Sequence, residues 1–162
     1  MIASATWNSI FTDIATALTQ TGQSNLLPYS GFIVYTSKGV NFNSANTDTG
    51  VALTNFPAWA SRFTVNSVLI TNASGTLTTA SAGVFTSTSA GGNTLAVNQT
   101  LTVTNSTDAT ANNMQALTLT NVSTASYLLS ALPHSPTLYV RVGTAQGVAA
   151  TADVTLTLHP IP

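Results

Sequence analysis

Nine side chains of this 162-residue protein ionise near neutral pH: Asp13, Asp48, Asp108 and Asp153, His134 and His159, and Lys38, Arg62 and Arg141. There is no glutamate and no cysteine. A hydrolase needs a nucleophile, a base and an orienting acid within hydrogen-bond reach, and active sites concentrate such groups. Here the four acids fall in separate loops or element ends, and G-x-S-x-G, H-E-x-x-H and P-loop motifs are absent. The expectation is a protein that is not an enzyme. His134 and His159 would share a metal only if the Pro133–Pro136 turn met the carboxyl end. Two ligands are too few for a structural site within one chain, although a symmetry axis would multiply them. Calcium takes six to eight oxygens, and the loops around Asp48 and Asp108 each offer a single carboxylate. No cofactor is expected.

Arg62 and Arg141 stand on or beside strands that otherwise carry no charge. Each guanidinium either lies outward over an aromatic such as Phe63 or Tyr139, or bonds Asp153 or Asp13 of a neighbouring subunit, a use of scarce charge as a specificity device. Aromatic side chains offer a second chemistry, the stacking of sugars. Tyr29, Tyr35, Trp59 and Tyr127 are the candidates, each set against the alternative of filling the core.

The balance of charge limits the partners. Charged residues make up 4% of the chain and the net charge is −1, against about 25% charged in an ordinary soluble domain. Solubility must rest on Thr, Ser and Asn, and a nearly neutral surface resists self-association poorly, so large protein interfaces are its natural destination. Three cations cannot make the basic footprint that nucleic acid requires. No apolar run reaches the roughly 18 residues of a membrane span, and no basic start and apolar core mark a signal peptide, so synthesis and use without Sec export are expected.

Stepping along the chain, Trp7, Ile10, Phe11, Ile14, Ala17 and Leu18 recur at helical spacing, with Ser4 or Thr6 as N-cap and Gly22 as stop. Residues 1–22 are therefore predicted to form an amphipathic helix for oligomerisation or docking. In heptad terms Trp7, Ile14 and Thr21 share one core position and Ile10 and Ala17 the other, the pattern of a short trimeric or higher coiled coil, set against the alternative of an ordinary helix lying on its own domain. Residues 23–30, with Pro28, read as a linker. Residues 31–162 read as a β domain. Gly31–Thr36 is a strand that Ser37–Gly39 turns toward Val40–Phe42, Asn43–Gly50 is a loop, and Val51–Leu53 is a short strand. Phe63–Ile70 and Leu77–Thr86, joined by Asn72-Ala73-Ser74-Gly75, form a hairpin whose neutral Ser/Thr/Asn face suits another protein surface. Leu95–Val103, Gln115–Val122, Tyr127–Leu129, Leu138–Val142 and Val154–Leu158 follow as strand segments, with Asn105–Asn113 an exposed loop. About eight short strands at spacings of about 8–12 residues point to a single antiparallel β-sandwich, a jelly roll first and another Greek-key sandwich second.

Three segments carry a resemblance. Leu69-Ile70-Thr71-Asn72-Ala73-Ser74-Gly75-Thr76-Leu77-Thr78-Thr79-Ala80 with Gly83-Val84-Phe85-Thr86, and Thr137 to Val154, resemble parts of uncharacterised proteins from the structural modules of tailed phages and prophages. Ala5–Leu18, with Trp7-Asn8 and Phe11-Thr12, is similar to the amino-terminal helices of short phage fibre and tail proteins. The resemblance implies a virion structural protein made in the bacterial cytoplasm and exposed on the capsid or tail. Its expected role is decoration or cementing of the capsid as a homotrimer in contact with the major capsid protein or other virion proteins, or else a head or tail fibre whose β domain binds a glycan or the host surface. It implies no catalytic residue.

Overall fold

The computed structural model describes residues 31–105, 107, 112–120 and 136–162, together with the main chain of 127–128. The expected helix at 1–22, the linker at 23–30, and Asp13, Tyr29, Asp108 and His134 lie outside the described residues. What is described is built from nine strands: β1 (Ile33–Asn41), β2 (Thr47–Ala52), β3 (Arg62–Thr71), β4 (Ser81–Phe85), β5 (Thr94–Thr100), β6 (Met114–Ala116), β7 (Tyr127–Leu128), β8 (Thr137–Thr144) and β9 (Thr151–Ile161).

All pairings are antiparallel. One sheet runs β1-β9-β3, with β6 and β7 both on the far edge of β3, the first against Leu69–Thr71 and the second against Arg62–Phe63. The other runs β2-β8-β4-β5. With β6 and β7 counted as one interrupted strand, two sheets of four pack as a sandwich. Successive strands cross from one sheet to the other except at β4–β5, and this order is that of the jelly roll.

The core follows from alternation, because side chains of period two point to opposite faces of a pleated strand. In β9, Ala152, Val154, Leu156 and Leu158 face inward, and Leu138, Val140 and Val142 do so from β8; all seven are buried. Phe42, Phe63, Val68, Ile70, Leu77, Leu95 and Leu101 complete the interior, and each fully buried aliphatic or aromatic side chain contributes about 1.5–3 kcal/mol. Phe56 packs edge-on to Phe63 with centroids 6.1 Å apart.

Several sequence expectations need correction. The hairpin of Phe63–Ile70 with Leu77–Thr86 does not form: β3 and β4 lie in opposite sheets. Asn72 takes the left-handed conformation expected of a turn, φ 53°, but the chain then crosses the end of the sandwich. Ala73, Leu77 and Ala80 are buried there, and the crossing is tied by Ser74 N–H to Thr151 O, Leu77 N–H to Val103 O, and Leu101 N–H to Ala80 O. Alternation predicts that a segment is a strand without naming its neighbour, and the β-branched threonines of the crossing imitate a strand. Gly31–Thr36 and Val40–Phe42 merge into β1, interrupted by a bulge between Ser37 and Val40. Gly39 occupies it with φ +63°, and a Cβ there would meet nothing within 4 Å, so conformation rather than space favours glycine. Residues 47–50, expected in a loop, begin β2, because pairing with β8 recruits them despite their polar composition. Leu101 and Val103 are buried beyond the end of β5. Past β6 the chain leaves β3 and pairs with β5 through Val97 N–H to Thr118 O, Thr120 N–H to Leu95 O and the Ala96–Leu119 bridge, which closes that flank.

Candidate interaction surface

The outer face of the β1-β9-β3-β6 sheet is set by the residues that alternate with the core. From β9 it takes Thr151, Asp153, Thr155, Thr157, His159 and Ile161; from β3, Arg62, Thr64, Ser67, Leu69 and Thr71. Register aligns Val34, Thr157 and Ser67 in one row and Thr36, Thr155, Leu69 and Ala116 in the next. The Thr36 and Thr155 hydroxyls hydrogen-bond at 3.0 Å. Threonine suits such a surface, since its β-branch favours the pleat while its hydroxyl keeps the face wettable. Three large apolar side chains interrupt it: Phe32 (53% exposed), Val34 (58%) and Met114 (55%). Phe32 leans on the ring of His159, centroids 5.6 Å apart.

Asp153, the only carboxylate among the described residues of this face, is held in place. Asp153 accepts the Gly39 N–H at 2.9 Å with one oxygen and the Asn72 amide at 3.1 Å with the other, joining the β1 bulge to the end of β3. The bond from Gly39 above all, then that from Asn72, with a smaller contribution from nearby Lys38, holds the carboxyl below its ordinary range against a slight opposing effect of burial. Arg62 lies at the other end of the same face: it pairs with Ile161, whereas Asp153 pairs with Thr71.

The opposite sheet carries a self-contained network. Arg141 on β8 faces Asp48 on β2 in register, and its guanidinium reaches the carboxylate at 3.0 and 3.2 Å and the Asn46 side-chain oxygen at 3.0 Å. The Ser89 N–H donates to the same carboxylate at 2.9 Å. Both charged side chains are only 14% exposed. Beside them Asn98 of β5 packs over Gly83 and Gly143. The bonds among Arg141, Asp48, Asn46 and Ser89 bind the 86–93 turn to β2 and β8.

The structure therefore separates residues that the sequence places together as candidates. Arg141 pairs within the chain with Asp48, rather than with Asp153 or across an aromatic. Arg62 and Asp153 share a face but stand at its two ends. Tyr35 points inward, 8% exposed, with its hydroxyl donating to Thr54 O at 3.1 Å, so its ring offers no open face to a sugar. Trp59 is half-buried in the turn between β2 and β3. Tyr127 pairs its main chain with Phe63. His159 lies on the outer face of β9 against Phe32, and its candidate partner His134 lies outside the described residues. Among the described residues no cluster of three or more His, Cys, Asp or Glu could hold a metal, no charged or polar residue is buried, and no helix is long and apolar enough to cross a membrane.

Sequence reasoning missed Phe32, Val34 and Met114. A signal existed for the first two: Phe32-Ile33-Val34-Tyr35 is apolar at both parities of a strand, and only one parity can face the core. Compared with known proteins, the chain matches no protein-family model, no curated protein and no solved structure.

Proposed function

We propose that this is a non-enzymatic structural protein of a tailed-phage virion, a capsid decoration or cement protein that works by burying its sheet face against other protein. The observation that carries the reading is the outer face of β1-β9-β3-β6, a threonine-rich surface that carries few charges and, among the described residues, three exposed large apolar side chains. A face of this kind gains from covering by protein, because its hydroxyls find partners and its apolar groups leave water, and few charges must be desolvated. Contacts of about 1,000–2,000 Å² each would reinforce a shell against internal pressure without chemistry. Residues 1–22 supply the oligomerisation or docking contact in this proposal, the major capsid protein or other virion proteins are the partners, and the virion exterior is the location. The particle assignment rests on the phage-like segments at Leu69–Thr86 and Thr137–Val154.

The test is antibody labelling of purified particles from a bacterium that makes this chain. Dense label over the head is expected. Label confined to a tail tip would replace decoration with the fibre reading, and particles without the chain would overturn both.

A further inference from the structure

We propose that the outer face of β1-β9-β3-β6 binds a second copy of the same chain, face to face about a twofold axis that crosses the strands near Ser67 and Thr157. The geometry of the two charges carries this. Arg62 opens β3 and Asp153 sits opposite Thr71 at its end, so nine residue steps, about 30 Å, separate them. They lie on adjacent strands and on the same face. A twofold axis perpendicular to the strands and parallel to the sheet reverses the face end for end. It sets Arg62 of each copy over Asp153 of the other, forming two equivalent ion pairs, the reciprocal arrangement of an isologous contact. Any arrangement that leaves the strands parallel stacks like charge on like. Lys38 stands in the bulge of the edge strand, near enough to Asp153 to act on its carboxylate but on the side of β9 away from β3, which leaves the side toward Thr71 for Arg62 of the second copy.

Between the charged ends the face meets itself with compatible chemistry. Ser67 and Thr157 lie at the centre, where small side chains let two twisted sheets approach to about 10 Å. Four strand positions by about ten residues present roughly 600 Å² per copy, so the pair would bury about 1,200 Å², at the lower edge of specific interfaces. Asp153 is prepared for the role: Gly39 and Asn72 fix its position and keep it ionised while leaving lone pairs for a guanidinium.

This inference rests on reading the face as a protein-binding surface, and the experiment separates the two. The chain has no native cysteine, so Ser67→Cys in the full-length protein places one thiol beside the axis, to be treated with a short bismaleimide across a concentration series. A covalent dimer is expected. Arg62→Asp on the same background turns both ion pairs repulsive and should raise the concentration for half-maximal dimer roughly tenfold. Ala52→Cys, on the outer face of the other sheet, should give no dimer. The proposal is overturned if Ser67→Cys stays monomeric, if Ala52→Cys cross-links as readily, or if Arg62→Asp leaves the yield unchanged. Circular dichroism of each variant establishes that it is folded. A monomeric Ser67→Cys protein that still decorates particles would remove the self-pairing and leave the role on the particle standing.

Discussion

Asp48 receives three hydrogen bonds, two from Arg141 and one from the Ser89 amide, in a site only 14% exposed. Truncating it would leave a guanidinium short of its counter-charge and an amide without its acceptor. Asp48→Ala should therefore cost about 2–3 kcal/mol in urea unfolding, and loss of below about 0.5 kcal/mol would mean that the network is decorative. Asp153 differs, because it is held by neutral donors at an open surface. Its carboxyl is held below the ordinary 3.8 by Gly39 and Asn72, so the folded state binds the proton less readily than the unfolded chain. The stabilisation is present above the ordinary value and disappears as pH falls from there through the lowered one. Between about pH 4.5 and pH 2.5 the parent should lose more of its urea midpoint than Asp153→Asn does; parallel losses would remove the assignment. Scarcity of charge made both arginines visible in the sequence as groups with a specific use. The partner of Arg141 was not visible, because Asp48 reads as a loop residue until β8 draws Thr47–Gly50 into register.

At the scale of elements, the bulges decide geometry that alternation leaves open. β4 and β5 shift register across Gly83, between Ala82 and Val84, and again between Val84 and Phe85, and the main chain of Ala96 and Asn98 comes so close that a Cβ on Gly83 would sit 2.9 Å from Asn98 N and 3.0 Å from Ala96 O. Those atoms belong to the backbone and cannot swing aside. Gly83→Ala should destabilise by about 1–3 kcal/mol with the fold retained, and a neutral result in thermal melting would show that the two strands part easily. Strands 137–144 and 151–161 could be read directly, since each alternates cleanly over eight or more residues, and strand 62–71 alternates on each side of one change of phase between Val65 and Ser67. The crossing at Ala73–Ala80 could not, because its threonines favour a strand while its buried residues, Ala73, Leu77 and Ala80, fall four and three apart and turn into the end of the sandwich. Met114 escaped notice for the opposite reason: its strand is three residues long, too short to show a period.

For the whole molecule, strand number and spacing were enough to reach a sandwich and to favour the jelly roll, because eight short strands with polar turns leave few ways to bury every inner face. The interaction face was half legible. Its threonines could be placed outward by parity, but that Val34 and Phe32 share the face with Asp153 and Arg62 follows from the β1–β9–β3 register, which joins residues about 120 positions apart. That register also sets the order of events during synthesis. The middle strands of the two sheets, β8 and β9, are the last described strands to be made, so β1, β2, β3 and β4 each wait for a neighbour that the ribosome has yet to release. Folding dominated by such distant pairings is slow, and a chain with seven formal charges has little repulsion to keep its waiting strands from those of another nascent copy. The crossed topology that completes the sandwich thus makes the interval before residue 151 emerges the time of greatest risk of misassembly.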